Sequence, residues 1–158
     1  MAKKGLRLLS AVMTVVITAA GSTVMGGAFF FFLSVIGDDR ADKEEIIAFV
    51  CEHEEELLYA VESSDYSAFE NKGFIQDISD EDTVVDFYCG GSGFGSATSY
   101  VGFYYTPDHN MLAMWCAPTE SSPLVPSGNG YAWNQPDGDN WYYTEHICGN
   151  FYYYEAGF

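Results

Sequence analysis

An uncharged apolar run near the start of the chain limits its architecture more than any other feature. The run extends from Leu8 to Ile36, which is 29 residues without a charged side chain. A helix needs roughly 20 apolar residues to cross a bilayer, so the run predicts a transmembrane helix. Three basic residues precede it, and such residues stay on the cytoplasmic side of a membrane. The sequence therefore predicts a single-pass signal anchor in 1–37, with its N-terminus in the cytoplasm, and an extracytoplasmic domain in 38–158.

A cleaved signal peptide is the alternative interpretation of the same segment. Its apolar core would be 8–17, and the small residues Thr18, Ala19 and Ala20 would form the cleavage site. Cleavage there would leave the apolar residues 29–36 near a new N-terminus, exposed to water. This cost favours the uncleaved anchor, which places the protein in the cell membrane.

The region beyond the apolar run is strongly acidic. The whole chain has a formal net charge of -17, and Lys43 and Lys72 are the only basic side chains after Arg40. Nucleic-acid binding depends on Lys and Arg side chains that neutralise phosphates. The charge therefore excludes nucleic acid as a partner.

The exported region predicts an α+β domain, in which one amphipathic helix packs on an antiparallel sheet of about 5–6 strands. Apolar residues recur with helical spacing from Asp42 to Ser63, and Asp42 is the expected N-cap. Residues 117–140 are rich in Pro, Gly, Ser and Asn and predict a loop with a short strand at Tyr131–Asn134. Alternating aromatic and β-branched residues predict six further strands: Phe74–Ile78, Thr83–Cys89, Tyr100–Tyr105, Met111–Cys116, Trp141–Cys148 and Phe151–Phe158.

The glycine-rich stretch CGGSGFGS, residues 89–96, resembles a phosphate-binding loop only at first sight. A dinucleotide fingerprint needs glycine at its first, third and sixth positions, but Ser96 follows Gly91 and Gly93 at the sixth. The next element is an aromatic strand and not a helix N-terminus that could hold an anion. The stretch predicts a β-hairpin loop and no nucleotide site.

Two polar residues are candidates for catalysis or metal binding, Glu54 and His146. Glu54 lies within the apolar stripe of the predicted helix, where burial would raise its pKa toward that of a general acid. A structural hydrogen bond is the more common role for such a residue. His146 lies two positions before Cys148 on one predicted strand, so both should face the same way and could form a zinc site or a Cys/His pair. Because the chain has no CxxC or HxxxH spacing, we assign no catalytic residue, metal site or cofactor.

Four cysteines occur in the exported region and none in the anchor. An even number of cysteines in an oxidising compartment predicts two disulfides. Three pairings are compatible with the sequence, and the candidates are Cys51, Cys89, Cys116 and Cys148.

Aromatic residues make up 17% of the chain. Those near loop or strand ends are candidates for binding a sugar ring or a peptide: Trp115, Trp133, Trp141 and Tyr142. Aromatic residues must appear on both faces of the predicted sheet, because successive residues of a strand alternate in direction. One helix covers only one face. The other face is therefore exposed, or the loop 117–140 covers it.

Two stretches, DTVVDFYCGGSGFGSATSYVGFYYTPDHN and GDNWYYTEHICGNFYYYEAGF, resemble a group of small signal-anchored surface proteins of Gram-positive, clostridia-like bacteria. The resemblance covers most of residues 42–158. It implies a bacterial cell-surface setting and implies no activity.

These observations predict a membrane-anchored extracytoplasmic domain that binds a glycan, peptide or protein partner without catalysis. One alternative is a structural or accessory subunit of an envelope complex. A second alternative is a small extracellular hydrolase that uses Glu54 or His146 as its acid or base. The binding hypothesis is favoured over both because exposed aromatic patches usually mark interaction sites.

Overall fold

The structure is a computed structural model that describes residues 40–70, 72–81, 83–94, 97–119 and 121–158. The predicted transmembrane anchor lies outside these residues. Within the described ranges, no helix has the length and apolar character needed to cross a membrane.

Two helices and one antiparallel sheet form the domain, which confirms the predicted α+β class. The elements in chain order are α1 Lys43–Glu52, α2 Glu54–Ser63, β1 Asp77–Glu81, β2 Val84–Phe94, β3 Ala97–Tyr105, β4 Val125–Ser127, β5 Gly130–Asn134, β6 Trp141–Cys148 and β7 Phe151–Gly157. The strands lie in the order β1-β2-β3-β7-β6-β5-β4. The described sheet therefore has seven strands and not the predicted five or six.

The predicted single helix is divided at His53. The backbone of His53 has a φ of -112° and a ψ of 20°, which is not helical. The three glutamates that follow form the first turn of α2. Carboxylates repel one another along a continuous helix but are stabilised in a first turn by the positive end of the helix dipole. The break gives this acidic run that position.

The start of α1 agrees with the sequence. The Asp42 carboxylate caps the helix by accepting a hydrogen bond from the Glu44 backbone N–H at 2.9 Å.

The break at His53 changes which residues of α2 face the sheet, because the helical phase starts again at Glu54. Leu57 is fully buried, whereas Leu58, which the single-helix pattern places in the apolar stripe, is exposed.

Both sheet edges differ from the prediction for one physical reason. β1 lies at one edge of the sheet. It begins at Asp77, three residues later than the predicted strand 74–78, and three of its five residues are acidic. β4 lies at the other edge and contains Pro126. An edge strand is paired on one side only, so it tolerates charges and a proline that lacks a backbone N–H.

The glycine-rich stretch forms part of a β2–β3 hairpin, as predicted, but its residues 91–94 are paired strand rather than loop. Gly91 pairs with Tyr100, and the register shifts between Tyr88 and Gly91. Gly90 has a φ of 117° and Gly93 a φ of 115°. Residues with a β-carbon rarely adopt this conformation, so the glycines make the bulge possible.

Each face of the sheet has its own core. The helices cover the first face, where Phe87 and Phe103 stack with ring centroids 4.5 Å apart. Both rings are fully buried, and each such burial contributes on the order of 2–3 kcal/mol. The second core is built around tyrosines: Tyr104, Tyr142, Tyr152 and Tyr154.

The segment between β3 and β4 covers the second face. The predicted strand at 111–116 is wrong, because this part of the chain forms consecutive turns. The Asn110 side chain accepts a hydrogen bond from the Leu112 N–H at 2.9 Å, and such local bonds compete with strand pairing. The segment buries Met114 and Cys116 against the tyrosines. The covering chain therefore lies mainly before the loop 117–140 that the sequence suggested.

Candidate functional site

A cavity of about 490 Å³ opens at the β1 end of the second face. Strands β1 to β3 form one side of it, and the segment between β3 and β4 forms the other. The residues that line it are Asp77, Ser79, Glu81, Thr83, Val84, Asp86, Tyr88, Tyr100, Ala113, Met114, Trp115 and Tyr154. This described lining contains three carboxylates and no basic side chain.

The acidic wall follows from the alternation of β1. Asp77, Ser79 and Glu81 are separated by two positions each, so they point to the same face. Ser79 pairs directly with Asp86 of the neighbouring strand. The pairing places the carboxylates of Asp77 and Glu81 on either side of Asp86 along the edge of the sheet.

Asp86 is the most unusual group in the cavity. The Tyr154 hydroxyl donates a long hydrogen bond, 3.4 Å, to its Oδ2 atom. Its Oδ1 atom is buried and has no hydrogen-bond partner in the part of the chain that the structure describes. Burial, together with the charges of Asp77 and Glu81, raises the pKa of Asp86 to about 7, although the nearby Tyr154 and Trp115 side chains favour the charged form and oppose the shift. A buried carboxylate with an unpaired oxygen is costly unless a ligand or proton satisfies it.

Aromatic rings form the opposite side of the cavity. Trp115 meets Tyr100 edge to face, with ring centroids 5.6 Å apart. It also stacks on Phe158 with centroids 5.9 Å apart and an interplanar angle of 17°. These contacts fix the indole ring, yet 64% of Trp115 remains exposed. The ring is therefore rigid and accessible at once.

The position of Tyr154 depends on a glycine in the adjacent strand. Gly102 pairs with Tyr154, and a β-carbon on Gly102 would lie 2.8 Å from the Tyr154 ring. Burial, reinforced by the charge of Asp86, raises the pKa of the Tyr154 hydroxyl. The hydroxyl therefore keeps its proton and acts as the donor to Asp86.

The structure separates the four aromatic residues predicted to bind a ligand. Only Trp115 lines the cavity. Trp133 is half-buried against the tyrosine core. Trp141 pairs with Gly157, and its indole ring lies over that glycine. Tyr142 is fully buried, and its hydroxyl donates to the Met111 carbonyl at 3.0 Å. Tyr142 is thus a core residue.

The surroundings of the two polar candidates, Glu54 and His146, also differ from those predicted. Glu54 is half-buried at the start of α2, beside Cys148. His146 is exposed, and its Nε2 atom lies 2.9 Å from the Gly149 carbonyl oxygen.

His146 and Cys148 do not face the same way. A register shift separates them in β6. His146 contacts Tyr152 of the second core at a ring distance of 5.1 Å, whereas Cys148 packs against the first core. The prediction of a shared direction is wrong because a bulge reverses the alternation. No group of three His, Cys, Asp or Glu side chains in the described ranges is arranged to hold a metal ion.

All four cysteines belong to the described residues, and all four are free thiols. Cys89 and Cys116 are buried, Cys148 is half-buried and Cys51 is exposed. The side chains of Cys51 and Cys148 are in contact with each other.

Sequence reasoning did not single out Asp86. A signal was present, because Asp86 is the one charged residue in the predicted strand Thr83–Cys89. A charged residue in an apolar strand usually faces solvent, so the pattern alone does not indicate a buried carboxylate. The cover over Asp86 comes from Met114 and Trp115, whose segment was predicted to be a strand.

Comparison of the chain with protein-family models, with curated proteins and with solved structures finds no match to any of them.

Proposed function

We propose that this protein is a membrane-anchored, extracytoplasmic binding module of a bacterial cell surface. It binds a cationic group of a peptide or protein partner, such as a Lys or Arg side chain, in the cavity beside Asp86. The observation that carries the proposal is Asp86, a carboxylate that lines the cavity and whose Oδ1 atom has no hydrogen-bond partner among the described residues. The proposed role is binding and not catalysis.

The charges of the cavity favour a cation. Three carboxylates line it, from Asp77, Glu81 and Asp86, without a basic side chain in the described lining. An ammonium or guanidinium group would donate a charge-assisted hydrogen bond to Asp86, and such bonds are roughly twice as strong as neutral ones. The net charge of the chain, -17, would also speed the approach of a positively charged partner.

The aromatic side of the cavity suits the same ligand. Cations are attracted to the faces of Trp and Tyr rings, and Trp is the strongest of these partners. Trp115 is held by Tyr100 and Phe158, so it would lose little conformational entropy on binding. Rigid aromatic residues of this kind are typical binding anchors.

The location rests on the sequence. The apolar run from Leu8 to Ile36 is long enough for a membrane helix, and the basic residues before it favour a cytoplasmic N-terminus. The domain would then face the outside of the cell. Its resemblance to signal-anchored surface proteins supports the same setting.

A neutral glycan is the second candidate ligand. The stacked pair of Trp115 and Phe158 presents an exposed aromatic surface, and such surfaces pack against the apolar faces of sugar rings. A neutral sugar would leave the three carboxylates of the cavity uncompensated. The cationic ligand is therefore preferred.

A pair of peptides that differ in one charge tests the proposal. The full-length chain in mild detergent is titrated with a short peptide that contains one lysine, and with the same peptide acetylated on that lysine. We expect the acetylated peptide to bind at least about tenfold more weakly, which corresponds to roughly 1.4 kcal/mol. The Trp115→Ala variant should lose binding, and Tyr59→Ala, which alters an exposed ring on α2, should not.

Equal affinity for the two peptides would contradict the proposal. Binding of a neutral oligosaccharide that depends on Trp115 but not on salt would favour the glycan instead. Attraction between charges weakens as salt increases, so the affinity of the lysine peptide should fall between low and high salt.

A further inference from the structure

The break between the two helices lies against the end of β6. Cys51 is in the last turn of α1, and Cys148 is the last residue of β6. The Cys148 side chain contacts both the Cys51 thiol and the Glu54 carboxylate. The Oε1 atom of Glu54 is so close to Gly149 that a β-carbon on Gly149 would collide with it. The helix break and the strand end are therefore held together by more than one contact.

We propose that Cys51 and Cys148 form a disulfide that fastens the helical layer to the sheet. The two thiols are neighbours across the interface between α1 and β6. The bond closes a loop that contains most of the domain. A disulfide that closes a long loop restricts the unfolded chain more than one that closes a short loop. The proposed disulfide should therefore stabilise the fold.

Cys89 and Cys116 remain reduced. Cys89 belongs to the core under the helices, and Cys116 belongs to the tyrosine core on the other face of the sheet. Burial raises the pKa of both thiols, that of Cys116 to about 12. The sheet separates these two thiols, and burial keeps a disulfide oxidant in solution from reaching either of them. The protein therefore has one disulfide, and the sequence expectation of two is revised.

The accessible thiol starts the reaction. Cys51 is exposed, so its thiolate attacks one sulfur of a disulfide oxidant, forms a mixed disulfide and releases one thiolate. Cys148 then loses its proton, attacks the Sγ atom of Cys51 and releases the second thiolate. Two protein thiols are oxidised and one disulfide of the oxidant is reduced to two thiols.

Glu54 controls the second step. Burial, together with the neighbouring Cys51 and Glu54, raises the pKa of Cys148 to about 12. The carboxylate accepts a hydrogen bond from the Cys148 thiol and repels the thiolate. The Cys51–Cys148 disulfide should therefore form slowly near neutral pH. It should form faster in the Glu54→Gln variant, because the glutamine side chain carries no charge.

Oxidation of the full-length chain tests the pairing. The reduced protein is incubated with oxidised glutathione, and its remaining thiols are alkylated after unfolding. Before alkylation, the oxidised chain should be lighter than the reduced chain by two hydrogens. After alkylation, we expect two modified cysteines, Cys89 and Cys116, and one peptide fragment that joins Cys51 to Cys148. The midpoint of thermal unfolding should be higher for the oxidised protein than for the reduced protein.

Single substitutions test the order of the steps. The Cys148→Ser variant should accumulate glutathione on Cys51, and Cys51→Ser should form no cross-link. The double variant Cys89→Ser/Cys116→Ser should oxidise like the wild type. Four alkylated cysteines in the oxidised wild type, or a fragment that joins Cys89 or Cys116 to another cysteine, would overturn the proposal. Glutathione on Cys148 in place of Cys51 would overturn the order of attack.

Discussion

The hydroxyl of Tyr154 lies 3.4 Å from the Oδ2 atom of Asp86, and it leaves the Oδ1 atom of the same carboxylate without a partner in the described chain. A carboxylate in water binds several donors, so this arrangement costs free energy on folding. A ligand that brings its own donor would recover that energy. Asp86, which lines the cavity, is therefore the centre of the proposed binding site.

The raised pKa of Asp86 predicts that the protein becomes less stable as pH rises. The pKa is about 7 in the folded protein against a usual value of 3.8. Between about pH 4 and pH 7, the unfolded chain has lost a proton that the folded protein keeps, so the free energy of unfolding falls. The full shift corresponds to at most about 4 kcal/mol. Chemical denaturation at pH 5 and pH 7.5 measures this fall.

The Asp86→Asn variant is the comparison for that measurement. It cannot ionise, so its free energy of unfolding should fall less between the two pH values than that of the wild type. Asp137→Asn alters an exposed carboxylate in the turn between β5 and β6 and should behave like the wild type. Identical pH dependence in all three proteins would contradict the burial of Asp86.

Binding of the lysine peptide should depend on pH in the opposite direction. The cation attracts the ionised carboxylate, so affinity should rise as pH increases through about 7, the pKa of Asp86 in the free protein. Titrations at pH 5.5 and pH 8 measure the change. Acetylation removes the charge of the lysine side chain, so the acetylated peptide should show no such increase.

Lys43 should contribute to stability through its ion pair with the buried residue Glu145. The two side chains form an ion pair, and the Lys43 amine also donates to the Tyr143 hydroxyl at 3.0 Å. Burial disfavours the charge on Glu145, but its bonds to Lys43 and Tyr143 outweigh this effect and lower its pKa. Lys43→Met should lower the free energy of unfolding by about 1–2 kcal/mol.

Lys72→Met is the control for this substitution, because Lys72 is exposed, lies over the Phe69 ring and forms no ion pair within the part of the chain that the structure describes. Equilibrium denaturation near neutral pH compares the two variants. Equal losses would show that the ion pair adds nothing beyond the apolar contacts of a lysine stem.

Gly102 should be required for the position of Tyr154. A β-carbon at this position would lie 2.5 Å from the Phe87 carbonyl oxygen and 2.8 Å from the Tyr154 ring. Gly102→Ala should therefore lower the free energy of unfolding by about 1–3 kcal/mol, the usual cost of overpacking. It should also weaken binding of the lysine peptide, because the Tyr154 ring must move away from Asp86. Unchanged stability would contradict this packing.

The parts of the fold that follow from local pattern could be predicted from the sequence. The alternation of aromatic residues indicates β6 and β7 correctly, and Asp42 is the cap that its spacing suggests. The edge strands could not be predicted in the same way. Their acidic residues and Pro126 are disfavoured in a paired strand but tolerated at an edge, and position in the sheet is a tertiary property.

The candidate site was less predictable for a related reason. Trp115 could be chosen because it is aromatic and lies near a loop. The burial of Asp86 depends on the path of the segment between β3 and β4, which the sequence pattern assigned to a strand. The opposite directions of the His146 and Cys148 side chains depend on a bulge, and no residue type in the strand indicates that bulge.

The affinity of the lysine peptide for the Asp86→Asn variant tests the central claim most directly. The substitution keeps the size of the side chain and removes its charge, while Asp137→Asn removes an exposed charge in the turn between β5 and β6. We predict that Asp86→Asn weakens binding at pH 8 by at least about tenfold, as the loss of a desolvated charge pair should, and that Asp137→Asn binds like the wild type. Equal affinities for the two variants would contradict the assignment of Asp86 as the cation-binding group.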